Sequence, residues 1–169
     1  QYLNRQIPWD HEQPSWDMEQ RGDIVVRVSG PLAHVYFNVS PKRLNLSEAA
    51  LLYPTLLYSL ITHEGIGVVV GREGGETTVI AGALGVLTVR QGDIQLQGSH
   101  PLKGLQDPRR QALQIDHLAS FPHSGDLILL GAWEQNGRVV TFEDQIGTHG
   151  GLGGPQEEPF ILYPSDLEW

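Results

Sequence analysis

The chain alternates between short segments of β-type apolar residues and turn compositions, broken twice by stretches of helical character. DIVVRVS, Asp23 to Ser29, and LAHVYFN, Leu32 to Asn38, flank a Gly30-Pro31 pair. Their Val, Ile, Tyr and Phe residues suit a pleated half-buried surface, so the two predict an antiparallel hairpin. LSEAALLYPTLLYSLITHEG then has helical character, with Ser47 expected as N-cap and Gly65 as the stop. Pro54 inside it predicts a break into two short helices. Ile66–Arg72, Thr77–Ala81, Gly85–Arg90 and Ile94–Gln97 are separated by GREGGE, GAL and QGD, the composition of a meander. Asp107-Pro108 opens a helix over Arg109–Ala119, with Ala112, Ile115, Leu118 and Ala119 as one buried stripe. LILLGAW follows the Ser124-Gly125-Asp126 turn, and its unbroken apolar run predicts a strand covered on both faces. Arg138–Phe142 reads as another strand, and Pro159–Pro164 as a last short apolar stretch.

These elements predict an α/β chain, α+β if taken by itself. A mixed sheet with antiparallel hairpins and a meander is joined by two or three helices. Residues 1–21 carry two prolines and no usable period, and read as a polar linker or tail; residues 22–169 read as a single α/β domain. The chain opens on Gln1 and directly on that tail, which raises the expectation of a piece of a longer protein.

Composition narrows the partners. Net charge is −9 with a pI near 5.1. Phosphate neutralisation needs a basic face, so no nucleic-acid polymer is expected as partner, and an anionic membrane surface is disfavoured. The absence of cysteine excludes disulfides and thiolate metal sites. No apolar run approaches the ~20 residues of a membrane span, so no membrane insertion by this chain is expected.

The candidate chemistry concentrates in EDQIGTHGGLGGPQ, residues Glu143 to Gln156. One histidine, His149, stands among five glycines, Gly147, Gly150, Gly151, Gly153 and Gly154, after the two carboxylates Glu143 and Asp144. Glycine in a packed region costs roughly 0.5–1 kcal/mol relative to alanine, so the run marks either slack or a close approach of backbone. Neutral imidazole is the commonest metal ligand, and bare flanking backbone clears room for an ion. Glu143 or Asp144 would then orient the ring. The alternative is a flexible loop with an incidental histidine. A phosphate-cradling P-loop does not fit, since no GxxxxGK[ST] pattern is present. The other histidines have plainer readings: His34 within a strand, His63 at a helix end, and His100, His117 and His123 in turns or on a helix. Asp10-His11 is a weaker ligand pair, because no apolar strand precedes it.

Four stretches, GDIVVRVSGPLAHVYFN, LYPTLLYSLITHEGIGVVV, FPHSGDLILLG and FEDQIGTHGGLGGPQEEPFILYP, resemble in their order the C-terminal part of bacterial type I phosphodiesterase/nucleotide pyrophosphatase proteins. That group belongs to the alkaline phosphatase superfamily, and some members carry a holin-like membrane segment. The resemblance spans Gly22 to Pro164, with THGGLGG its most specific part. It implies the C-terminal portion of an alkaline-phosphatase-like fold and a site with two divalent metal ions, zinc expected, beside a Thr or Ser nucleophile. Carried over residue by residue, only His149 matches, as a ligand of one metal. No nucleophile and no Asp-His-Gly signature of the second metal is found here; Thr148 carries a hydroxyl beside His149, but position alone gives no reason to call it a nucleophile. The resemblance therefore implies a C-terminal fragment of a metal-dependent phosphoric ester hydrolase, with no catalytic residue of its own and inactive alone. Its parent would act on a phosphate ester and could be membrane-tethered. Other readings are a binding or scaffolding module that keeps the fold without the chemistry, and a self-contained metal domain using Asp10, His11 and His149. A sheet cut from a larger one would also expose strand edges, so a homo-oligomer is expected.

Overall fold

The unbroken apolar run Leu127–Gly131 (β7) is an interior strand, third in order, of the seven-stranded sheet that the described residues form. A computed structural model describes residues 24–167. Around β7 the sheet contains β1 (Ile24–Ser29), β2 (Leu32–Phe37), β3 (Ile66–Glu73), β4 (Thr77–Gly82), β5 (Gly85–Arg90) and β6 (Asp93–Gly98). Its order is β1-β2-β7-β3-β4-β5-β6. Every pairing is antiparallel, which corrects the expectation of a mixed sheet. The last of these strands in sequence, β7, lies between β2 and β3 and runs opposite to both, a placement that no local pattern encodes.

Among the described residues three α-helices cover the two faces. α1 (Leu46–Leu52) and α2 (Pro54–Thr62) lie on one, and α3 (Pro108–Ser120) on the other. Alternate residues of β7 feed each core, with Leu127 and Leu129 on the α1/α2 side and Ile128 and Leu130 on the α3 side. All four are at most 3% exposed, which is why the run carries no polar alternation. Burying such a side chain contributes about 1.5–3 kcal/mol. In β3 the register shifts between Ile66 and Val68, so those two residues reach opposite cores despite their spacing.

Most predicted elements appear at their expected places, and the differences have local causes. Pro54 does split the helical stretch, occupying the first position of α2. Asn45, not Ser47, precedes α1; Glu48 Oε2 accepts from Asn45 N at 2.7 Å, while Ser47 Oγ donates to Glu73 Oε1 at 2.9 Å. α2 ends at Thr62 and is followed by His63, before Gly65 is reached. Asp107 caps α3 by accepting from Arg110 N at 3.0 Å. Arg138–Phe142 is not a strand: only Val139 bridges to Trp133, and Phe142 N donates instead to Gly30 O at 2.8 Å. Pro159–Pro164 has no regular structure and leaves Phe160, Ile161, Leu162 and Tyr163 exposed.

The segment Ser124-Gly125-Asp126 is a brace as much as a turn. Asp126 is buried, and its two oxygens accept from Phe37 N at 2.7 Å and Leu44 N at 2.6 Å. One carboxylate thus ties the end of β2 and the start of the α1 approach to β7. His34 Nδ1 accepts from Gly125 N at 2.9 Å. Burial, and then the nearby Arg43 guanidinium, lower the His34 pKa below the ordinary 6.5. Arg43 Nη1 in turn donates to Ala119 O at 2.5 Å at the end of α3.

Candidate metal-ligand loop

The glycine-rich segment starts in one core and ends in the other. Phe142 is buried on the α1/α2 side, and Leu152 packs on the α3 side beside Trp133. Between them the chain passes the β1–β2 turn, at the end of the sheet where β7 finishes. The close-approach reading of the glycines holds for part of the run. A side chain at Gly151 would meet Pro31 Cβ at 2.7 Å, one at Gly153 would meet Trp133 Cβ at 3.0 Å, and one at Gly154 would meet Gly137 O at 2.6 Å. Gly153 and Gly154 also have φ of +76° and +69°. Gly147 faces open space, and Gly150, at φ +90°, has only Ser29 O nearby, at 3.7 Å.

Gly30 is the fixed point on the other side. Its N–H donates to Glu143 Oε2 at 2.8 Å, and its carbonyl accepts from Phe142. A Cβ there would collide with Thr148 Oγ1 and lie 2.5 Å from His149 O, and its φ is already +58°. The loop therefore rests backbone against backbone on the hairpin turn, with Thr148 turned toward that contact.

His149 itself is exposed. The structure gives Glu143 a different partner from the ring it was expected to orient: its Oε2 holds Gly30 N and accepts from Gln145 Nε2 at 3.0 Å. Glu143, Asp144 and Gln145, with Glu134 and Arg138, line a cleft of about 300 Å³ to which His149 does not contribute. Asp144 is exposed. Among the described residues no three His, Asp or Glu side chains are grouped to hold a metal ion. The residues present thus fit a metal only to the extent of one accessible imidazole. Asp10 and His11, the other candidate ligands, lie outside the described residues.

Of the remaining histidines, His63 and His100 accept through Nδ1 from Gly65 N at 3.0 Å and Leu102 N at 3.2 Å. His117 stands edge-on to Phe121 with ring centroids 4.8 Å apart. These are local turn and helix-end contacts, as the plainer readings expected. Sequence reasoning missed Gln111, Gln156 and Glu157, which hold the loop from behind. The signal was slight: Gln111 falls on the buried side of α3, where a polar residue needs a partner.

Comparison of the chain with protein-family models, with curated proteins and with solved structures finds no match.

Proposed function

We propose that this chain is the C-terminal portion of a metal-dependent phosphoric ester hydrolase of the phosphodiesterase/pyrophosphatase type, with an alkaline-phosphatase-like fold. In this reading His149 contributes one metal ligand, and the nucleophile and remaining ligands come from polypeptide outside these 169 residues. The observation that supports it best is the contrast within the loop. The backbone around His149 is pressed against Gly30, while the imidazole stays exposed. A ligand needs that combination, because a donor held in place loses little freedom when it binds.

Two divalent cations, zinc foremost since imidazole and carboxylate suit it, would supply Lewis-acid stabilisation of the negative charge on the phosphoryl oxygens. The chain's own part is to present the imidazole nitrogen at the end of the sheet. Gly30 and Glu143 set where the loop starts, and the open space at Gly147 leaves room on that side of the loop. A single imidazole binds a metal weakly, because ligand count and geometry make a site.

Two measurements test this. The purified 169-residue chain should not hydrolyse bis(p-nitrophenyl) phosphate with added zinc or manganese; robust metal-dependent turnover would overturn the assignment of the nucleophile elsewhere. In the longer polypeptide that the proposal requires, His149→Ala should lower zinc affinity by more than the roughly tenfold to hundredfold cost of losing a supporting partner. Unchanged zinc affinity and unchanged hydrolysis there would remove the ligand role.

A further inference from the structure

The loop is held on the side away from Gly30 by three side chains that the metal-ligand reading does not use. Gln111 of α3 is 6% exposed, although it is polar. Its Nε2 donates to Glu157 Oε1 at 3.0 Å, and the same oxygen accepts from Gly153 N at 2.8 Å. Gln156, in the same short 3-10 turn Pro155–Glu157, works on the neighbouring peptides. Its Oε1 accepts from Gly151 N at 3.3 Å, and its Nε2 donates to the carbonyls of Leu152 at 3.2 Å and Gly153 at 2.9 Å.

We infer that Glu157 is the positioning residue of the His149 loop, joining it to α3 through one carboxylate oxygen shared by Gly153 N–H and Gln111. This rests on the reading of His149 as a ligand for its purpose, though not for its geometry. Gly151 to Gly153 have no side chain that could anchor them except Leu152, so their path is set by hydrogen bonds to peptide groups. Only Gly150 separates that anchored stretch from His149. With the Gly30 contact on the other side, the backbone at His149 is fixed from both directions. A carboxylate suits position 157 because an ionised oxygen accepts two N–H donors strongly. A glutamine there retains a carbonyl that accepts more weakly, and a leucine retains nothing.

The test uses the whole 169-residue chain, with hydrogen exchange of the loop amides and the backbone amide NMR signal of His149. In Glu157→Leu, the Gly153 amide should exchange at least about tenfold faster, the scale set by losing a hydrogen bond to a charged acceptor. The His149 signal should shift toward that of an isolated THGGLGG peptide. Amides of β3 and β7 should keep their protection, and Glu157→Gln should restore most of the loop's. Loop exchange and a His149 signal in Glu157→Leu that match the parent chain would overturn the inference, as would an equal loss in Glu157→Gln and Glu157→Leu. If Glu157→Leu does not fold, Gln111→Leu removes one partner of the shared oxygen. Several-fold faster exchange at Gly153 is then expected, and no change overturns the inference. The two ideas fail separately: the zinc affinity of His149→Ala in the longer polypeptide decides the ligand reading, whereas the exchange rates in this chain decide the role of Glu157.

Discussion

Glycines that look equivalent in the chain differ sharply once neighbours are placed. Gly147 has no atom near a would-be Cβ, whereas Gly30 would drive one into Thr148 and the His149 backbone. Gly147→Ala is therefore expected to be neutral or slightly stabilising, through reduced freedom of the unfolded chain. Gly30→Ala should cost on the order of 2 kcal/mol or more, from the left-handed backbone and the collision together. Urea unfolding of the two variants side by side measures the contrast. His34 gives a second prediction at this scale. Its folded pKa lies below the unfolded value, so the unfolded chain takes up its proton first as pH falls. The stability His34 contributes is present above the ordinary 6.5 and is lost as pH drops through the lowered folded value. Protonation also turns Nδ1 from an acceptor into a donor facing Gly125 N. His34→Asn keeps an acceptor and removes the titration, so the difference in stability between pH 8 and pH 5 should shrink. An unchanged pH dependence would assign it to other groups. Neither effect is legible in the sequence, where His34 is simply a polar residue on a strand and Gly30 simply half of a turn.

At the scale of elements, β7 was the most readable part of the chain and Arg138–Phe142 the least. An apolar run with no alternation can only be a strand or helix buried all round, and the flanking glycines and short length decide for a strand. What braces β7 against its neighbours was not readable. Asp126 follows a turn and looks like a turn residue, yet it is buried and satisfies two backbone donors far away in sequence. Asp126→Ala should destabilise by about 3 kcal/mol, since both N–H groups lose their acceptor inside the protein. A loss under about 0.5 kcal/mol in chemical denaturation would mean those donors find other partners. The predicted strand Arg138–Phe142 failed for a related reason. Its pattern was suitable, but Val140 N donates to Ala132 O and Phe142 N to Gly30 O, so the segment crosses the sheet end without joining a ladder.

At the scale of the whole molecule, β1 and β6 are the edge strands of the sheet among the described residues. Among the described residues β6 pairs only with β5, and nearly all of its own residues are exposed, with Leu96 51% exposed. An edge with one charged residue, Asp93, offers free N–H and C=O groups to a second copy. Concentration-dependent self-association is expected by light scattering, and Leu96→Lys should reduce it. A monomer at all concentrations, unchanged by Leu96→Lys, would count against use of this edge. The acidic charge and the exposed His149 belong to this scale too, since they set what could approach the loop.

The sequence alone determined the local elements: the hairpin about Gly30-Pro31, the broken helix at Pro54, the meander, α3 and the doubly covered β7. Each follows from residue period and turn chemistry, which act over a few neighbours. It also singled out the loop around His149, because five glycines beside one imidazole are costly unless the backbone must come close. Only the tertiary structure decided the strand order, the antiparallel insertion of β7 and the true partners of Glu143 and Asp126. It also divided the glycines into those pressed against Pro31, Trp133 and Gly137 and those facing open space. Those outcomes depend on contacts between residues far apart in the chain, and no local pattern carries that information.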